Sequence, residues 1–245
     1  MWNKIINGGY PEVIKRTSIK RKEVWFRDYI TTILQRDIRE LVNINGLTQM
    51  PRLLELLAAR IATLINFAEL SRSIQIPQTS LKRYMALFEA TYLIYYLPPW
   101  STNLGKRIVK TPKIFFTDTG LASYLLGADT ELLQNHNTFS GPLLENFVLS
   151  ELRKQSAWNH IQPNFSHFRS QTGLEVNFIL ENRRRQCVGI EVKASATVRS
   201  DDFKGLRWLQ KQLDKRFLRG IVLYTGEEVV PFGEELYAIP VSALW

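Results

Sequence analysis

The sequence predicts a protein of mixed α and β structure, with a helical region over residues 1–135 and a mixed sheet flanked by helices over residues 136–245. Apolar residues of the first region recur at helical spacing. The second region alternates helical patterns with short apolar runs that are typical of strands. With 245 residues, 45% of them hydrophobic, the chain is long enough to form a core in each region.

The positive charge is concentrated in the first region. Of the formal net charge of +9, residues 1–135 hold +7 (18 Lys and Arg against 11 Asp and Glu), and residues 136–245 hold +2 (14 against 12). A basic surface favours a polyanionic partner such as nucleic acid, but it also promotes solubility, so charge alone does not decide the partner.

The N-terminal residues predict a turn followed by a long helix. Gly8-Gly9-Tyr10-Pro11-Glu12 has turn composition, and the apolar spacing predicts a helix from Lys20 to Val42 with an inner stripe that includes Trp25, Tyr29 and Ile33. The pattern GxxxxGK[ST] occurs nowhere in the chain, so we expect no ATP binding through a P-loop and no ATPase activity from this chain.

The following segment predicts a helix-turn-helix. One helix is expected over Leu53–Ile65, a second from its cap Asn66 to Ser73, and a third over Gln78–Glu89. The third helix would direct its outer residues into the major groove of DNA. These DNA-contacting residues are predicted to be Gln78, Thr79, Ser80, Lys82 and Arg83.

A two-stranded wing is predicted to follow the third helix. Tyr92–Leu97 forms one strand, Pro98-Pro99 ends it, and Lys113–Phe116 returns. The residues predicted to neutralise phosphates at its tip are Lys106, Arg107, Lys110 and Lys113. Winged helices also dock other proteins, so a protein-interaction or regulatory domain that does not bind DNA remains an alternative.

The second region predicts a helix over Leu143–Gln155, a hairpin and a crossing helix over Phe203–Leu213. The remaining predicted strands are Phe165–Arg169, Gly220–Tyr224 at the centre of the sheet and Tyr237–Pro240 at an edge. In the hairpin, Glu175 and Asn177 share one face of their strand, as do Glu191 and Lys193, so pairing would bring four polar side chains together.

Such a group of side chains has the composition of a metal-assisted phosphodiesterase site. Carboxylates hold Mg²⁺ or Mn²⁺, and a lysine stabilises the attacking hydroxide or the charge that builds on the phosphate. The alternative is a sheet edge with a Glu–Lys pair, because Glu-x-Lys tripeptides such as Glu191-Val192-Lys193 are common.

Other polar residues favour structural roles. Asp118 or Thr119 is predicted to cap a helix, and His136, His160 and His167 lack the spacing of a zinc site. The single cysteine, Cys187, cannot form an internal disulfide, and no apolar run is long enough to span a bilayer. We therefore expect a cytoplasmic protein that does not associate with membranes.

The hairpin resembles the PD-(D/E)xK nuclease fold, also known as restriction-endonuclease-like. The resemblance implies a helical acid at Glu145, metal ligands at Glu145, Asn177 and Glu191, and catalytic roles for these residues with Glu175 and Lys193. Asn177 stands where the family has Asp, and it removes a negative charge from a site whose affinity depends on charge. A degenerate nuclease-like domain is therefore expected, with an active Mg²⁺- or Mn²⁺-dependent endonuclease as the alternative.

The whole chain resembles the C-terminal region of a family of prokaryotic AAA-type ATPases. In that family, a P-loop domain precedes a winged helix and a nuclease-like domain of unknown function. The segments that carry the resemblance are Gly8–Glu12, Arg36–Ile38, Lys113–Ala122, Glu145–Val148, Glu175–Phe178, Glu191–Ser195 and Leu244-Trp245. The resemblance implies a DNA-interacting module whose partners are DNA and an ATPase domain, either in longer relatives or on a separate chain.

Overall fold

The computed structural model describes residues 1–38, 47–100, 111–135, 137–170 and 173–245. The chain forms two compact units. Met1–Tyr96 and Ile114–Leu143 make the first unit, and Leu97–Lys113 and Leu144–Trp245 make the second. The architecture is mixed α and β, with a helical N-terminal region and a six-stranded mixed sheet with helices.

Helices dominate the N-terminal region of the chain. Its described elements are α1 (Trp2–Asn7), α2 (Pro11–Ile14), α3 (Ile19–Thr32) with π-helical turns over Ile33–Ile38, α4 (Met50–Ala58), α5 (Phe67–Ile74), α6 (Gln78–Ala90), β1 (Ile94–Leu97), β2 (Lys113–Phe116), α7 (Thr119–Leu126) and α8 (Thr130–Asn135). The strands β1 and β2 form a two-stranded sheet.

The buried face of α3 lies one residue later than the predicted stripe. Phe26 and Ile30 are buried, at the four-residue spacing of one helix face, whereas Trp25 and Tyr29 are only half-buried. Trp25 and Tyr29 lie instead against the ring of Tyr10, with centroids 5.1 and 5.0 Å away. The predicted end of this helix, near Val42, lies outside the described residues.

The helix α4 ends earlier than the predicted Ile65. Ala62 has a left-handed φ of 61°, and its N–H donates to the carbonyl of Ile114 at 2.8 Å. The N–H of Ile114 donates in turn to the carbonyl of Thr63 at 3.1 Å. These backbone groups bond to the start of β2 instead of extending the helix, a tertiary preference that the apolar spacing does not reveal.

The pair α5 and α6 is joined by a tight turn. The Asn66 side chain accepts the N–H of Glu69 at 3.1 Å and caps α5, as predicted, and Gln75 ends the helix in the left-handed conformation. The predicted inner face of α6 is confirmed. Its buried residues include Leu81, Tyr84, Met85 and Phe88.

Asp118 links the N-terminal turn to α7. Its Oδ1 accepts the N–H of Leu121 at 2.9 Å, which confirms the predicted cap, and its Oδ2 accepts the N–H of Gly9 at 2.6 Å. Gly8 has a φ of +67°, and a Cβ there would lie 2.2 Å from Asp118 Oδ1. Gly8 therefore lets the backbone approach the Asp118 carboxylate closely.

The second unit contains a six-stranded sheet in the order β3-β4-β5-β6-β8-β7. Its elements are α9 (Asn137–Ala157), β3 (Asn164–Arg169), β4 (Glu175–Glu181), β5 (Cys187–Lys193), α10 (Lys204–Leu213), β6 (Phe217–Tyr224), β7 (Val230–Gly233) and β8 (Leu236–Pro240). The strands β5, β6 and β8 are parallel, and the other neighbours pair antiparallel.

The predicted centre of the sheet is confirmed, but the predicted edge is wrong. The strand β6 lies between β5 and β8, and β8 is itself covered by β7. Pro231 and Gly233 lie within the four residues of β7. Because both residue types are depleted in strands, its sequence lacks a strand pattern.

The helix α10 packs closely on the hairpin of β4 and β5. A Cβ at Gly205 would lie 2.0 Å from the backbone oxygen of Glu175, and one at Gly189 would lie 2.7 Å from Leu206. Gly205 therefore lets α10 approach the start of β4, which carries Glu175, and Gly189 lets α10 approach β5. Among the described residues, no helix is long and apolar enough to cross a membrane.

Candidate functional site

Lys113 is the centre of a buried ionic cluster in the second unit. Its Nζ lies 2.7 Å from Glu145 Oε1 on α9 and 2.6 Å from Glu175 Oε1 at the start of β4. Only 2% of Lys113 is exposed. The prediction that Lys113 lies at an exposed wing tip is therefore wrong, because its charge is buried against two carboxylates.

The shifts in pKa follow from burial and from this pairing. Burial opposes the charge of Lys113, but Glu145 and Glu175 outweigh it and raise its pKa. Burial likewise opposes ionisation of Glu175, but Lys113 outweighs it and lowers the pKa of that carboxyl. For Glu145, burial is the larger effect and raises the pKa, which Lys113 only partly offsets. The cluster thus favours a charged Lys113–Glu175 pair.

Asn177 makes two contacts that give it a structural role. The ladder between β4 and β5 ends at the pair Phe178 and Ile190, and beyond it Asn177 Oδ1 accepts the N–H of Val192 at 2.9 Å. The side chain also hydrogen bonds to Glu145, which offsets a small part of the effect by which burial raises the pKa of that carboxyl. A carboxylate at this position would repel Glu145, so the amide suits this pair of contacts.

Glu191 and Lys193 end β5 in different surroundings. Glu191 is buried, and burial raises its pKa to about 8, although the charge of Lys193 opposes the shift. Lys193 is half-buried, and its Nζ lies 3.4 Å from Asp202 Oδ1. At neutral pH the Glu191 carboxyl is therefore largely protonated.

Two further buried polar residues lie in the same unit and were not singled out as site residues. Burial lowers the pKa of His167 to about 4, and the charge of Lys113 adds to this effect. Glu181 accepts the Trp100 Nε1–H at 2.8 Å and pairs with Arg185 Nη1 at 2.9 Å.

A charged residue in a run of apolar residues, as in Lys113-Ile114-Phe115-Phe116, is the signal that could have identified Lys113 as part of the cluster.

The donor set does not fit a divalent cation. Glu145 and Glu175 hold an ammonium group, and Asn177 Oδ1 holds a backbone N–H. Within the described ranges, no group of three His, Cys, Asp or Glu side chains is arranged to hold a metal ion. Of the predicted ligands, Glu145 and Asn177 are thus committed to other contacts.

The predicted DNA-contacting residues of α6 lie on its outer face. Gln78, Thr79, Lys82 and Arg83 are exposed, and Ser80 is half-buried. Lys82 Nζ lies 5.6 Å from the centre of the Phe67 ring on α5. The predicted wing-tip residues Lys106, Arg107 and Lys110 lie outside the described residues.

The chain matches two families, one in each part of its sequence. Residues 1–132 match a family described as Domain of unknown function (DUF8612). The chain belongs to this family. Residues 140–244 match a second family, Domain of unknown function (DUF4143).

Curated relatives of this DUF8612 chain come from bacteria and an archaeon. An uncharacterized protein of Mycobacterium tuberculosis is 32% identical over 240 residues, which cover 98% of this chain and 52% of the relative. An uncharacterized protein of Methanocaldococcus jannaschii is 21% identical over 247 residues, which cover 97% of this chain and 53% of the relative. The chain spans about half the length of these relatives. No solved structure matches the chain.

Proposed function

We propose that this chain is a DNA-interacting module that binds duplex DNA through α6, as part of a winged helix-turn-helix. The observation that carries the proposal is the division of α6 into two faces. Leu81, Tyr84 and Phe88 are buried, and the opposite face exposes Lys82 and Arg83. Amide, hydroxyl and cationic groups on one helix face can reach base edges and phosphates.

The start of α6 supports the same proposal. Gln78 and Thr79 are exposed in its first turn, where the positive end of the helix dipole favours a phosphate group. The excess charge of +7 in residues 1–135 would further attract a polyanion. By resemblance, the module would act with an AAA-type ATPase domain, supplied by a longer chain or by a separate protein.

We expect the double variant Lys82→Ala/Arg83→Ala to bind duplex DNA at least tenfold more weakly than the wild type at low salt. Each lost phosphate contact should reduce the slope of log affinity against log salt by about 0.9. A fluorescence-anisotropy titration at several salt concentrations measures both quantities. The matched control is Arg183→Ala/Arg184→Ala, which removes the same charge from exposed positions between β4 and β5.

The control variant should bind DNA as the wild type does, apart from a small general effect of charge. Absence of DNA binding at low salt would favour a protein-interaction or regulatory domain instead. An equal loss of affinity in both double variants would show that α6 is not the contact surface.

For the second unit, the proposal is a nuclease-like domain that does not cleave DNA. The support is the donor set, in which Lys113 holds Glu145 and Glu175 and the amide of Asn177 replaces the expected carboxylate. We expect supercoiled plasmid to remain intact with the wild-type protein and Mg²⁺ or Mn²⁺. Cleavage that disappears in Glu191→Ala would instead identify an active metal-dependent endonuclease.

A further inference from the structure

We propose that Lys113 is a built-in cation that takes the place of a divalent metal ion between Glu145 and Glu175, and that removing its ammonium group creates a Mn²⁺ site there. The inference deepens the proposed non-cleaving site and rests on it. DNA binding by α6 is a separate matter.

The Lys113 ammonium group lies where a cation that bridges Glu145 and Glu175 would lie. Lys113 Nζ bridges Oε1 of Glu145 and Oε1 of Glu175 at 2.7 and 2.6 Å. A hard cation that joined these two carboxylates would occupy the same space, with shorter distances of about 2.0–2.6 Å. The Lys113 ammonium group and a metal ion therefore cannot both lie between these carboxylates.

Other positive charges near Glu145 and Glu175 compensate them only weakly. Arg169 Nη1 lies 3.7 Å from the other oxygen of Glu175, but Arg169 is half exposed and the contact is long. Lys193 pairs with Asp202. Removal of the Lys113 charge would thus leave Glu145 and Glu175 facing one another with little compensation, which is an electrostatic environment that attracts a divalent cation.

An ammonium group and a metal ion differ in the chemistry that they can support. An ammonium group donates hydrogen bonds to both carboxylates but offers no open coordination position and cannot activate a water molecule as a metal ion does. Lys113 therefore neutralises the cluster and stabilises the fold. It also prevents a metal ion from holding a water molecule there as a nucleophile.

The test compares Mn²⁺ binding by wild type and Lys113→Met, which removes the charge and retains most of the side-chain length. The full chain is titrated with Mn²⁺ alone and followed by electron paramagnetic resonance of the free ion. We expect no binding by the wild type up to millimolar Mn²⁺ and at least tenfold tighter binding by Lys113→Met. Adding Glu175→Gln to that variant should abolish the gain.

Lys204→Met is the matched control, since Lys204 is exposed and pairs with Asp201 on the surface. It should behave as the wild type. Mn²⁺ binding by the wild type as tight as that of Lys113→Met overturns the proposal, as does a Lys113→Met protein that does not bind Mn²⁺. If Lys113→Met is unfolded without metal, circular dichroism should show refolding in Mn²⁺, and failure to refold also overturns it.

A negative result of the Mn²⁺ titration can be told apart from a negative result for the proposed function. The plasmid and DNA-affinity assays use the wild-type protein as their reference, and neither depends on whether a variant acquires a metal site. A wild-type protein that leaves plasmid intact while Lys113→Met ignores Mn²⁺ would keep the non-cleaving domain and reject only the role of Lys113.

Discussion

Lys113→Met is expected to lower the free energy of unfolding by about 3–5 kcal/mol at pH 7, the usual cost of removing one partner from a buried ion pair. The loss is large because Glu145 and Glu175 both direct an oxygen at the Lys113 ammonium group. Without that group, two carboxyls remain in a poorly solvated position. Urea denaturation in the presence of a chelator measures the change.

The triple variant Lys113→Met/Glu145→Gln/Glu175→Gln tests the reason for this loss. Because it removes the carboxylates along with the cation, it should recover much of the stability. The control Lys204→Met breaks the surface pair with Asp201 and should cost at most about 1 kcal/mol. If Lys113→Met costs no more than this control, the ionic cluster does not stabilise the fold.

Glu191 is expected to make the protein less stable as the pH rises from 6.5 to 8. Its pKa is about 8 in the folded state against an ordinary value of 4.5, so between these values the folded state retains a proton that the unfolded state has lost. The contribution to stability is complete below pH 4.5 and falls by about 1.4 kcal/mol per pH unit as the pH rises towards 8. About one pH unit above 8 the proton is lost from the folded state as well, and no further change is expected from this group.

His167 has the opposite effect on the pH dependence of stability, and this effect lies mainly at lower pH. Its folded-state pKa of about 4 lies below the ordinary 6.5, so its effect is to increase stability as the pH rises from 4 to 6.5. Above pH 6.5 the effect of His167 becomes small, and it is common to the wild type and to Glu191→Gln. Glu191→Gln should flatten the curve there by about 1–2 kcal/mol, measured by urea denaturation at several pH values.

The matched control for this experiment is Glu227→Gln at an exposed position. It should retain the wild-type slope. An unchanged slope in Glu191→Gln would show that Glu191 does not carry the retained proton.

Local patterns predicted the elements whose residues determine their own conformation. The run Lys113–Phe116 predicted β2 to the residue, and the spacing of Leu81, Tyr84 and Phe88 predicted the buried face of α6. Asn66 and Asp118 were identifiable as caps because their side chains bond to backbone groups three residues later. In these cases the cause of the structure lies within a few residues.

The parts that depend on distant partners were predicted less well. The apolar run after Lys113 indicates that its charge is buried, but nothing near it in the sequence indicates its partners Glu145 and Glu175, which α9 and β4 bring beside it. Similarly, β7 is recognised as a strand only through its pairing with β8. The role of Asn177 also depends on Val192 and Glu145, which the spacing within β4 cannot indicate.

A crystal structure of the wild-type protein grown with MnCl₂ would show which cation lies between Glu145 and Glu175. Anomalous diffraction at the manganese edge should show no peak between Glu145 and Glu175, and Lys113 Nζ should lie within hydrogen-bond distance of both carboxylates. A manganese peak between these carboxylates, with the Lys113 side chain turned away, would contradict the account.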